Sequence, residues 1–271
     1  MADHAPNRPA AAKPPANDPF YVGYLPAPLS ARILAVVLAA ALPLVMCVCA
    51  VALNALRPPA GDAVWDTAHA RTFKGILTAR PYPMLTLAEP VGNLPAGETL
   101  LIVEMGKFGG GQRAAGFDSQ PVEITGYLLD RGGSRMIELD SAADAVRRST
   151  VSFAPPSPPV TLGNRDLLGE IADSKCYLGA MKPGLGVVHR ECAERCLRGG
   201  IPPALIVHDE RGRAAMLILC APDQSPLNER LAPFAGDVLT LKGDITRRGT
   251  LLVMAINPDQ IDPTLTSNTS R

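Results

Sequence analysis

Four residues in one short segment have side chains suited to chemistry. Cys176, His189, Cys192 and Cys196 carry three thiols and an imidazole, the donor types that hold zinc or copper or, for the thiols, close into disulfides. Residues 188–198 suit a helix stopped by Gly199 and Gly200. On that helix His189, Cys192 and Cys196 stand at i, i+3 and i+7, so all three face one way. Arg190, Glu191, Glu194, Arg195 and Arg198 take most of the remaining circumference. Cys176 ends the preceding strand and can be brought back against this face, while Cys220, at the end of another strand, is a fifth candidate.

Three readings of this set are open. A disulfide drawn from Cys176, Cys192, Cys196 and Cys220, with Cys176 joined to Cys192 or Cys196 in first place, ties the segment to its domain outside the reducing cytosol. A metal site of Cys176, His189, Cys192 and Cys196 suits zinc or copper. A plain core face uses the cysteines as small apolar residues. A bridge between Cys192 and Cys196 is the least attractive pairing, because its ends are one helical turn apart and its geometry would strain the helix. Catalysis would have to rest on Cys192 or Cys196 as a thiolate with His189 as base. The chain has no C-x-x-C-H, no thioredoxin-like C-x-x-C and no paired Cys/His motif for a Rieske centre. It also lacks G-x-S-x-G, H-E-x-x-H and a phosphate loop.

The elements that position these residues can be read in turn. Residues 33–53 run without a charge between Arg32 and Arg57, enough to cross a hydrocarbon core of about 30 Å as a helix. The expected layout is a disordered tail over 1–32 and a transmembrane helix over 33–56. A first domain follows over 61–150, then a Pro-rich linker over 151–160. A second domain over 161–257 carries the Cys/His insertion, and a disordered tail occupies 258–271. The aromatic patch Phe20-Tyr21-Val22-Gly23-Tyr24-Leu25 reads as an interfacial belt or a docking peptide.

Beyond the span the chain repeats itself. Residues 117–140 align without gaps on 234–257, so that Val122, Ile124, Gly126, Leu128, Arg131 and Gly132 meet Leu239, Leu241, Gly243, Ile245, Arg248 and Gly249. Earlier, residues 74–77 match 168–171, and the extra length of the second copy falls mostly in its Cys-bearing stretch. Three strands, a short helix capped by Ser225 and two further strands make the order of the five-stranded OB barrel. In the first copy the helix is replaced by the glycine run 107–112, read as a flexible loop. The fold class expected is mainly β: one N-terminal transmembrane helix followed by two tandem OB-like five-stranded barrels.

The stretch from Gly169 to Pro203, with its Cys…His-x-x-Cys-x-x-x-Cys spacing and the strand–helix–strand pattern beyond it, resembles uncharacterised bacterial membrane-anchored exported OB-like domain proteins. The C-x-x-x-C spacing of Cys192 and Cys196 resembles copper proteins of respiratory assembly in spacing alone, since Leu197 and Gly200 replace the Pro and His of those sites. One span plus an exported OB barrel also looks like the periplasmic haem chaperone of cytochrome c maturation, but His208-Asp209-Glu210 lacks that family's following Tyr.

The composition narrows the function. The 26 Lys+Arg balance the 26 Asp+Glu, and the aromatics amount to 6 Phe, 5 Tyr and 1 Trp. Such a chain has neither the basic surface nor the stacking platform of a nucleic-acid binder. The expectation is a single-pass protein of the inner (cytoplasmic) membrane, held in the bilayer by 33–56, with its C-terminal domains in the periplasm. It presents a metal-binding or disulfide-clamped site, with zinc or copper as candidate ions, to a membrane-bound redox or assembly partner. A thiol- or metal-dependent oxidoreductase and a purely structural subunit are the alternatives.

Overall fold

The computed structural model describes residues 27–56 and 63–261. The expectations for 1–26, including the aromatic patch, and for 262–271 lie outside the described residues. Helix α1 spans Leu29–Ala55, so it takes in Leu29, Ser30, Ala31 and Arg32 from the expected tail. None of its residues is buried, although it is apolar on all sides and contains Pro43. Its 27 residues rise about 40 Å, long and apolar enough to cross a membrane.

The described residues 63–261 form a separate compact unit, built of two closed barrels. The first contains β2 (Arg71–Thr78), β3 (Met84–Leu87), β4 (Thr99–Val103), β5 (Pro121–Arg131) and β6 (Ser134–Leu139). Two short strands, β1 (Val64–Trp65) and β7 (Val146–Arg148), add to β5. The second barrel contains β8 (Val160–Asp173), β9 (Pro203–His208), β10 (Ala214–Cys220), β11 (Val238–Arg248) and β12 (Leu251–Ile256). Each closes in the OB order, the third strand lying parallel to the fifth: β4 beside β6, and β10 beside β12.

The two copies share their register as well as their order. Phe73 pairs with Ile124 as Leu167 pairs with Leu241, and Gly126 with Leu139 as Gly243 with Ile256. A side chain at Gly126 would meet Glu138 O at 2.3 Å, and one at Gly243 would meet Ala255 O at the same distance. The close approach of neighbouring backbone therefore requires glycine at this point in both barrels.

Between β10 and β11 lies the one-turn helix α4 (Asn228–Leu231), capped by Leu227 without a side-chain bond; Ser225 instead donates its hydroxyl to Asp223 at 2.6 Å. Its counterpart in the first copy also exists: α2 (Gly111–Ala114) replaces the flexible loop expected there. Pro258–Gln260, expected to open the disordered tail, instead form a turn in which the Asn257 side chain accepts the Asp259 N–H.

The barrels share a third core. Leu100 and Ile102 of β4 point into the first barrel, whereas Leu101 and Val103 point into a cluster with Ala204, Ile206, Met216 and Ile218 of the second. Strands buried on both faces carry unbroken apolar runs, as β4 and β10 do. Tyr82 fastens the junction by donating its hydroxyl to Leu219 O at 3.1 Å and accepting the Leu227 N–H at 3.0 Å. Arg131 reaches across to Tyr177 O at 2.9 Å and stacks over that ring.

Candidate thiol and metal site

The insertion follows β8 directly. Asp173, the last residue of that strand, accepts the Cys176 N–H at 2.8 Å and so turns the chain into a wide helical turn, Cys176–Ala180. The loop then returns across Cys176, whose carbonyl lies 2.4 Å from where a Gly184 side chain would begin. A short 3-10 turn, Val187–His189, leads into helix α3 (Arg190–Arg198). The helix has Glu191 in its first turn and Arg195 and Arg198 in its last, matching its dipole. Gly199 caps it, and Gly200 adopts a φ of +94°, a left-handed conformation natural to glycine.

The structure brings Cys176, Cys192 and Cys196 together, with their sulfurs all within 4.8 Å of one another. His189 reaches Cys176 but in a different group, together with Asp173. The expected helical face is broken at this residue, because His189 ends the 3-10 turn before α3 begins. Its Nε2 lies 3.0 Å from a carboxylate oxygen of Asp173, and both side chains are buried. Cys220 sits buried on β10, near Gln224, and outside both groups. Cys176, Cys192, Cys196 and Cys220 are free thiols in this structure.

A residue that sequence reasoning missed completes the site. Lys107, from the turn after β4 of the first barrel, places its Nζ 2.8 Å from Cys192 Sγ and 3.4 Å from Cys196 Sγ. The glycines around it make this possible. Gly109 donates its N–H to Gly199 O at 2.9 Å, joining the two barrels backbone to backbone. A side chain on Gly199 would meet Lys107 O at 1.8 Å, and one on Gly109 would meet Gly200 O at 2.1 Å. Behind this contact Lys175 forms a fully internal ion pair with Glu138 at 2.8 Å and donates to Glu104 O and Gly106 O. The lysine turn is thus held from both sides. The available signal was the glycine run itself, where a helix was due.

The charges sort the protons among the sulfurs. Cys176 donates to Cys196 and is pushed up by that bond, by burial and by the Asp173 carboxylate. Cys196 is brought down by accepting that bond, against burial, with help from the Lys107 ammonium. Burial acts to lower the Lys107 pKa, but the two sulfurs it faces outweigh this and raise it. Cys220, with burial as the leading cause, is pushed up to about 11. Of the pair, Cys196 is therefore the thiol that gives up its proton first, facing the cation. Replacing the cation, Lys107→Met, moves the Cys196 titration upward in reduced, metal-free protein, read as thiolate absorbance against pH. An unchanged titration would show that Lys107 does not act on this sulfur.

Two OB-like barrels meeting over a lysine-capped cluster of three thiols define the class of protein that the fold and site support. The chain matches no protein-family profile, no curated protein and no solved structure.

Proposed function

We propose that this is a membrane-anchored accessory protein of the inner membrane. Its barrels lie in the periplasm, and its three-thiol site holds a soft metal ion, copper(I) in first place, for a membrane-bound redox or assembly partner. One observation carries the reading: Cys176, Cys192 and Cys196 hold their sulfurs within 4.8 Å of one another. Metal–sulfur bonds of about 2.3 Å put three sulfurs round one ion about 4 Å apart, so small side-chain rotations suffice. Zinc in a closed site asks for a fourth donor. Among the described residues no His, Cys, Asp or Glu joins all three sulfurs, and His189 is engaged with Asp173. Three thiolates alone suit copper(I), a soft ion at home in three-coordination. Lys107 offsets part of the negative charge of the thiolates.

Exposed apolar side chains beside the site support presentation to a partner. Phe108 and Met105 flank Lys107, are 62% and 50% exposed, and line a cleft of about 1080 Å³ between the barrels. Thiol–disulfide exchange with the partner is the second reading, favoured by the partial exposure of Cys192 and the lowered pKa of Cys196.

The test is an anaerobic titration of the reduced full-length chain in detergent with copper(I), against a chromophoric copper(I) chelator. A single equivalent bound, with sulfur-only coordination in its X-ray absorption spectrum, is the expected result. Copper left entirely with the chelator, or coordination by nitrogen and oxygen, would overturn the metal reading.

A further inference from the structure

Lys107 stands closer to Cys192 than a hydrogen bond asks. N–H···O bonds cluster near about 2.9–3.0 Å, and the larger radius of sulfur makes N–H···S contacts longer still. The same amine supplies its own reference: it meets Cys196 at an ordinary 3.4 Å but Cys192 at 2.8 Å. That short separation suits a nitrogen and a sulfur bonded to one common oxygen. We propose that Lys107 and Cys192 form a redox-responsive pair that a peroxide closes into a covalent bridge, Lys107 Nζ–O–Sγ Cys192.

Position and access favour this pair over its neighbours. Cys192 is the half-buried thiol of the three, so a small oxidant reaches it before Cys176 or Cys196. The amine is held against it by the Gly109–Gly199 backbone bond and by the Lys175 contacts behind the turn. Both reacting groups are therefore already in place, which is worth a high effective concentration. Of the competing disulfides, Cys192–Cys196 would span one turn of α3 and strain it, while Cys176–Cys192 draws on a buried thiol that already donates to Cys196.

The chemistry balances with two molecules of peroxide. The first oxidises the Cys192 thiol to a sulfenic acid and leaves as water. The Lys107 ammonium gives one proton to solvent, and the second peroxide takes up the sulfenic O–H hydrogen and one hydrogen of the resulting amine and leaves as two waters, while the sulfenic oxygen bonds to Nζ. Overall one S–H and two N–H bonds are lost, one of these hydrogens leaving as a solvent proton, S–O and O–N bonds are gained, and sulfur and nitrogen together give up four electrons to the two peroxides. The bridge withdraws Cys192 from any metal and staples the first barrel to the second. It requires only the thiol, the amine and the oxidant, so it stands apart from the copper reading.

The experiment treats the metal-free full-length chain in detergent with stoichiometric hydrogen peroxide and digests it without reductant. Expected is a cross-linked pair of peptides joining Lys107 to Cys192, about 14 Da heavier than the two together and separated by a thiol reductant. Lys107→Arg, which keeps the charge, abolishes the cross-link, and Cys220→Ser leaves it intact. A cross-link that persists in Lys107→Arg, or one lost in Cys220→Ser, would overturn the proposal. So would a disulfide among the three thiols, a sulfenic acid without a cross-link, or a bridge landing on Cys196. Because the cross-link is located on the unaltered chain, the result does not depend on how the variants fold. The copper titration of untreated reduced protein reads the metal proposal separately.

Discussion

Lys175→Met costs the folded chain about 3–5 kcal/mol, the penalty for removing one member of a buried ion pair. Both Lys175 and Glu138 are 3% exposed, and their charged atoms lie 2.8 Å apart. Without the ammonium, the buried Glu138 carboxylate loses its ion-pair partner, and the carbonyls of Glu104 and Gly106 lose their donor. The double variant Lys175→Met, Glu138→Leu removes both charges together and recovers most of the loss, since an apolar pair of similar volume is often neutral or better. Urea denaturation of the single and double variants measures both terms. A single variant within about 0.5 kcal/mol of the parent, the range of ordinary surface changes, would mean that this pair does not hold the junction.

Cys196→Ser lowers copper(I) affinity by more than about 100-fold, because changes in the outer shell of a metal site alone cost about 10–100-fold. The serine hydroxyl is a harder donor that does not ionise at neutral pH, so the ion keeps two sulfurs. Cys220→Ser, on the neighbouring strand but outside the cluster, leaves the affinity unchanged. The chelator competition reads both variants, and equal affinity for parent and Cys196→Ser would remove the three-sulfur site from consideration. A thiol exchanging with a partner's disulfide would still lose activity in that variant, which separates the two readings of the same sulfurs.

The barrels were legible because the chain carries them twice. The 117-residue offset that sets Gly126 on Gly243 reappears as identical strand pairing in both copies, since inward and outward side chains along a strand leave only one register for a buried face. The three thiols were legible from helical spacing plus a place close after a strand, although Cys176 opens the helical turn beyond Asp173 rather than ending β8 as expected. His189 was not, because its place on the helix depended on a boundary that a spacing pattern fixes only to within a residue or two. The chain turns into α3 just after it, and Asp173 claims the imidazole. Lys107 was illegible for a different reason. It lies 85 residues from Cys192 in a copy without cysteines, and only the packing of the barrels brings the two together. The continuous apolar runs of β4 and β10 held that information, but a run buried on both faces looks the same whatever covers it.

The backbone bond between Gly109 and Gly199 divides one site between the two copies. One copy carries the sulfurs and the other the amine that faces them, so the two barrels are not exchangeable. Transplanting either barrel into another protein would carry half a reagent. A relative that had lost the lysine would be expected to show its compensating cation in the corresponding turn of its own first barrel.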